Sequence, residues 1–109
     1  MWTAKEDGSY MQMAVGDFGI QLPFSVSDVT LTQSDTIRFA FARPDGSGVV
    51  LTKNYNNPQN NTVNLEFTEA ESALFSVGKY LFSMDWYRGE ELMCNLIKAG
   101  IFEVAGKVK

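Results

Sequence analysis

An all-β sandwich of two face-to-face antiparallel sheets, with about seven to nine short strands and one short helix near residues 69–76, is predicted by three observations. Apolar residues recur at every second position in several separate segments. Turn-forming clusters divide those segments at intervals typical of sandwich strands. Between Glu66 and Trp86 a helix start passes directly into a long aromatic strand.

That last stretch organises the chain. Thr68 followed by Glu71 is a capping box, in which hydroxyl and carboxylate each satisfy a backbone N–H left unpaired by an opening helix. Gly78 can take the left-handed conformation that closes a helix, so about two turns are expected from Glu69 to Ser76. From Tyr80 the period changes: Tyr80, Phe82, Met84 and Trp86 alternate with Leu81, Ser83, Asp85 and Tyr87, the pattern of a strand with one face on a core.

Taken in order, Met1–Ser9 is polar apart from Trp2, and Tyr10–Val15 is a short apolar segment. Two readings stand: a loose terminus leading into a first strand, or an arm of residues 1–13 that docks Trp2 and Met13 on a neighbouring chain, leaving 14–109 as the domain. Phe18, Ile20, Leu22 and Phe24 alternate with Gly19, Gln21 and Pro23, a strand confined to an edge by its proline. Val29 and Leu31 repeat the pattern. Ile37, Phe39 and Phe41 define a central strand, and Arg43-Pro44-Asp45-Gly46-Ser47-Gly48 turns it into Val49–Leu51. Asparagine-rich Lys53–Asn61 reads as a loop. Val63, Leu65 and Phe67 lead into the helix, Arg88-Gly89-Glu90-Glu91 makes a hairpin, and Leu92, Cys94 and Leu96 are expected inward before Phe102 and Val104 finish the last strand.

This parity sets Leu81, Tyr87, Met93, Ile97 and Ile101 outward. On neighbouring strands they would form a connected apolar patch, either a contact surface or a face covered by the helix or the N-terminal segment.

The bulk properties exclude several classes. With 109 residues, 45% of them hydrophobic and 13% aromatic, the chain suffices for one folded core. No apolar run approaches the ~20 residues of a membrane helix, so no membrane insertion is expected. Thirteen acids against nine scattered bases give a net charge of −4, which argues against nucleic acid as a partner. The lone Cys94 cannot form an internal disulfide and is expected to be a small core residue, in keeping with a reducing cytosol. The opening residues, with two early acids, do not read as a secretory signal.

Histidine is absent, which removes imidazole acid–base chemistry and most zinc sites. Glu69 and Glu71 belong to the helix start, Glu90 and Glu91 to a hairpin tip, and Asp85 is expected to be a paired structural acid. No catalytic residue, cofactor or metal is predicted. Trp86 and Tyr55 are candidates for a sugar-binding surface if either is exposed, although Trp86 and Tyr87, being adjacent on a strand, point to opposite faces.

The spacing Phe75-x-x-Gly78-x-Tyr80 resembles the turn into one strand of many immunoglobulin-like sandwiches, where a tyrosine hydroxyl bonds back to nearby backbone. A longer order narrows the resemblance: Gly16-Asp17-Phe18-Gly19-Ile20-x-Leu22-Pro23-Phe24; Asp35-Thr36-Ile37-Arg38-Phe39-Ala40-Phe41 with Asp45-Gly46; Leu65-Glu66-Phe67-Thr68-Glu69-Ala70-Glu71; Val77-Gly78-Lys79-Tyr80-x-Phe82-x-x-Asp85-Trp86; and Ile101-Phe102-Glu103-Val104. Over residues 14–106 this resembles small immunoglobulin-like domains of phage and prophage tail and baseplate regions, such as the N-terminal domain of baseplate upper proteins. Val77 stands where proline often precedes the glycine. The resemblance implies a non-catalytic virion structural component, assembled in the bacterial host cytoplasm, whose partners are itself or other tail proteins. The alternative is a receptor- or carbohydrate-binding module of the same fold at a tail tip or cell surface.

Overall fold

The computed structural model describes residues 3–4, 10–19, 21–26, 31–56 and 61–106. They form β1 (Thr3–Ala4), β2 (Tyr10–Ala14), β3 (Leu22–Ser25), β4 (Asp35–Ala42), β5 (Val49–Asn56), β6 (Thr62–Leu65), α1 (Glu69–Ser72), β7 (Gly78–Arg88) and β8 (Glu91–Ala105). One sheet has the order β1-β2-β8-β7-β4-β5, and the other pairs β3 with β6. The chain is therefore an all-β sandwich, with a single short helix among the described residues, as its sequence predicts.

Pairing is antiparallel throughout the described strands except between β2 and β8, which run parallel. These strands lie far apart in the chain, so no tight turn constrains their relative direction. Their register sets Met11 opposite Phe102 and Met13 opposite Val104. All four side chains are fully buried or nearly so. The segment 10–13 thus belongs to the domain, and the boundary expected at residue 13 is corrected: Tyr10–Ala14 alternates like any half-buried strand.

Phe39, Phe41, Phe67, Phe82 and Phe102 are the largest fully buried side chains. Phe41 sits at their centre, with ring centroids of Phe102, Phe67 and Phe75 at 5.3, 5.4 and 5.7 Å in edge-on geometry. Each buried ring contributes roughly 1.5–3 kcal/mol through area removed from water, and each aromatic pair about 0.5–1.5 kcal/mol more.

The capping box forms as expected. Glu71 N donates to Thr68 Oγ1 at 3.2 Å, and Thr68 N donates to Glu71 Oε1 at 2.9 Å. The helix is shorter than expected, ending at Ser72, because Leu74 N and Phe75 N bond three residues back to Glu71 O and Ser72 O and tighten the chain while Phe75 enters the core. Gly78 does not close it. With φ of 147° it begins β7, using a conformation that side chains disfavour. Two residues on, Tyr80 Oη accepts from Ser76 N at 3.0 Å and lies 3.4 Å from Ser76 O, the backward bond that the resemblance implies.

Lys53 and Asn54 are not loop, since β5 continues to Asn56. Lys53 points inward from this edge strand, between the rings of Tyr55 and Phe67, and donates to Glu66 O and to Glu71 Oε1 at 2.8 Å. Burial pushes the Glu71 carboxyl upward, but the Lys53 ammonium and the Thr68 N–H outweigh it and hold it below its ordinary value. On the other sheet β3 covers only Leu22–Ser25, so Phe18 is left exposed. Ile20 and Val29 lie outside the described residues.

Candidate assembly surface

The outer face of the six-stranded sheet is a set of cross-strand rows fixed by register. Ala42, Leu81, Ile101 and Tyr10 form one row across β4, β7, β8 and β2. Leu81 and Ile101, directly opposite each other, are each 39% exposed. Beside Ile101, Tyr10 Oη donates to Glu103 Oε1 at 2.6 Å; that bond, with some desolvation and the carboxylate's charge, raises the phenol above its ordinary pKa. Asn56, Thr36, Tyr87 and Leu92 form a second row at the hairpin end, where Leu92 and Met93 are 45% and 40% exposed. Between these lie two polar or small rows, Thr52–Ala40–Ser83 and Asn54–Arg38–Asp85–Asn95.

The apolar residues are therefore two separate groups and not the connected patch expected. Three register shifts along β7–β8 explain the difference. Met93, Leu96 and one of Lys98 and Ala99 are extra residues opposite β7, and every such bulge resets which side chains face inward. Ile97 consequently lies opposite inward-facing Met84 and packs against the core, so it is not part of the outer surface. Leu92 takes an outward place opposite Tyr87. Met13 is also removed from the surface, being fully buried on the inner face of β2 beside Val104 of β8. Trp2 lies outside the described residues.

Cys94 is exposed, not a core residue. It shares the inward parity of its partner Trp86, but β3 and β6 have only four residues each and cannot cover the whole inner face of a molecule 44 Å long. At the same end Asp35 is fully buried and accepts from Arg88 Nε at 2.9 Å, Arg88 Nη2 at 3.2 Å and Thr32 N at 2.7 Å. The guanidinium holds this carboxyl well below the usual carboxylate range despite its burial, with support from the Thr32 N–H.

A depression of about 360 Å³ opens among Thr36, Arg38, Asn54, Asn56, Tyr87 and Glu90. The Arg38 guanidinium carbon lies 4.6 Å from the Tyr87 ring centroid, and its Nε donates to Asn54 Oδ1 at 2.9 Å. Thr36 Oγ1 donates to Asn56 Oδ1 at 2.9 Å. Asp85, directly across from Arg38, instead accepts from Asn95 Nδ2 at 2.7 Å. It is a paired acid, as expected.

Trp86 is buried and Tyr55 half-buried and inward, its hydroxyl taking the Glu66 N–H at 3.3 Å, so neither offers a sugar-binding surface. Arg38 stands outward, as its parity against Ile37, Phe39 and Phe41 predicts, whereas Asn54 and Asn56 are missed as surface groups because Lys53-Asn54-Tyr55-Asn56 reads as loop by composition. The alternation within those four residues, with Lys53 and Tyr55 inward, is the signal that finds them. Among the described residues no three His, Cys, Asp or Glu side chains gather as a metal would require. No family model, no curated protein and no solved structure matches the chain.

Proposed function

We propose that this chain is a non-catalytic structural component of a phage tail or baseplate, working through protein–protein assembly in the virion. The observation that carries the assembly part is the Leu81–Ile101 pair, two large aliphatic side chains set side by side on the outer face and left in water. Exposed apolar groups of this kind on a folded domain commonly mark contact surfaces. Ala42 and Tyr10 extend the row on either side, and Leu92 and Met93 supply a second apolar contact at the hairpin tip. The phage part rests on the ordered resemblance from Gly16 to Val104.

The test is solution mass against concentration by light scattering. Mass rises with concentration for the native chain, and Leu81→Asp with Ile101→Asp holds it at the one-chain mass with an unchanged circular dichroism spectrum. A native chain that stays at one-chain mass at every concentration, alone and mixed with the proteins encoded beside it, removes the assembly reading. A gene neighbourhood without tail or baseplate genes removes the phage reading.

A further inference from the structure

We propose that the depression between β4, β5 and the β7–β8 hairpin is a binding subsite for a neutral oligosaccharide. This inference does not depend on the Leu81–Ile101 row that carries the assembly reading, since it uses other rows of the outer face.

The first support is the supply of unused donors. Asn54 and Asn56 each spend the amide oxygen on a neighbour, Asn54 on Arg38 Nε and Asn56 on Thr36 Oγ1, and among the described residues their amide nitrogens have no partner. Among the described residues Arg38 likewise spends only Nε. Its terminal nitrogens are spared by an unusual local choice: Asp85 lies directly opposite in register, yet the guanidinium leans over Tyr87 and Asp85 is taken by Asn95. Opposite charges facing each other across two strands ordinarily pair. Here the cation is left with its donor edge open.

The second support is that these groups are already held. The hydrogen bonds that occupy the amide oxygens orient both amides, and the guanidinium rests over the Tyr87 ring. A ligand would thus be bound without the full cost of ordering three mobile side chains. As alternate residues of one strand, Asn54 and Asn56 sit ~7 Å apart, a spacing on the scale of one sugar ring.

The third support is the mixture of polarity, which selects the chemical class. Amide and guanidinium donors face the same space as two acceptors, the Glu90 carboxylate on the hairpin turn and the Thr36 hydroxyl oxygen, whose own hydrogen is spent on Asn56. Ligand groups that accept and donate through one atom fit such a lining best, and those are hydroxyls. Glu90, neighbouring Asp85 and the net charge of −4 oppose an anion. An apolar ligand would leave the donors unsatisfied. The Tyr87 ring, with the guanidinium lying over it, holds that donor and does not act as a stacking platform.

The experiment prints neutral hexose and N-acetylhexosamine oligosaccharides, with acidic glycans beside them, on an array probed with the native chain displayed multivalently. The retained oligosaccharide is then titrated by calorimetry. A neutral oligosaccharide is retained, and Arg38→Ala and Asn54→Ala each weaken it by about tenfold or more, as expected for losing a directed polar contact. Leu81→Asp, on the separate apolar row, binds as the native chain does, which keeps the outcome distinct from that of the mass measurement. Retention of no neutral oligosaccharide, retention of acidic glycans only, or binding indifferent to Arg38→Ala and Asn54→Ala overturns the proposal.

Discussion

Arg88, at the end of β7, reaches across to the first residue of β4 and holds the buried Asp35 carboxylate through two nitrogens, at 2.9 and 3.2 Å. Gly89 N donates to Ser34 O at 3.0 Å beside them, so side chains and backbone together tie the hairpin to the central strand. Because the folded-state pKa of Asp35 is depressed, its contribution to stability is fully present above the unfolded carboxylate value of ~3.9 and is lost as pH falls from there toward the folded value. Asp35→Asn is expected to cost about 1–3 kcal/mol at neutral pH and to flatten the acid limb of stability. Urea unfolding of both forms from pH 7 to pH 2 checks this; parallel curves would mean that Asp35 does not drive the acid loss.

Gly100 faces inward beneath Phe82, and a Cβ placed there would come within 2.4 and 2.5 Å of two carbons of that ring. The Phe82 ring is itself buried and stacks on Phe41, with 6.1 Å between centroids, so it has little room to give way. Gly100→Ala is therefore expected to destabilise by about 1–3 kcal/mol through overpacking. Adding Phe82→Leu should return part of that loss. Thermal unfolding of the single and double variants measures it.

Removing one atom from Tyr80 isolates the backward bond to Ser76. Tyr80→Phe keeps the ring against Phe75, at 5.0 Å between centroids, while leaving the Ser76 N–H without this acceptor. A loss of about 0.5–1.5 kcal/mol is expected in denaturant unfolding, with the far-ultraviolet circular dichroism that reports the strands unchanged.

At the helix start, Thr68→Ala removes the acceptor for the Glu71 N–H and should cost about 1 kcal/mol. Glu71→Gln keeps a side-chain oxygen for Thr68 N but gives up the ion pair with Lys53. The two substitutions share partners, so a double-mutant cycle should show coupling instead of simple addition.

Much of this was legible because local chemistry and tertiary structure agree along β4, α1 and β7. The alternation of Ile37, Phe39 and Phe41 and of Tyr80, Phe82 and Met84 gives the observed buried faces. Thr68 and Glu71 form the predicted cap, and Tyr80 makes the bond that its spacing suggests. What escaped was whatever depends on a partner strand. Ile97 and Leu92 exchanged faces because bulges in β8 break a parity that the sequence alone presents as continuous. Cys94 has inward parity but stays exposed, since burial requires an opposing layer and the facing strands stop short. Met13 carried a core alternation with Met11, but only the parallel pairing with β8, remote in sequence, puts both inside. The polar depression needed Lys53–Asn56 to be strand, and asparagine-rich composition hides that.

Lys53 has one more bearing. β5 closes the flank of its sheet, and an uncovered flank invites another chain to continue the hydrogen-bond ladder indefinitely. An incoming strand there would have to settle beside an ammonium turned into the interior and already committed to Glu71 and the Glu66 carbonyl. Runaway lateral stacking through this flank is thereby discouraged.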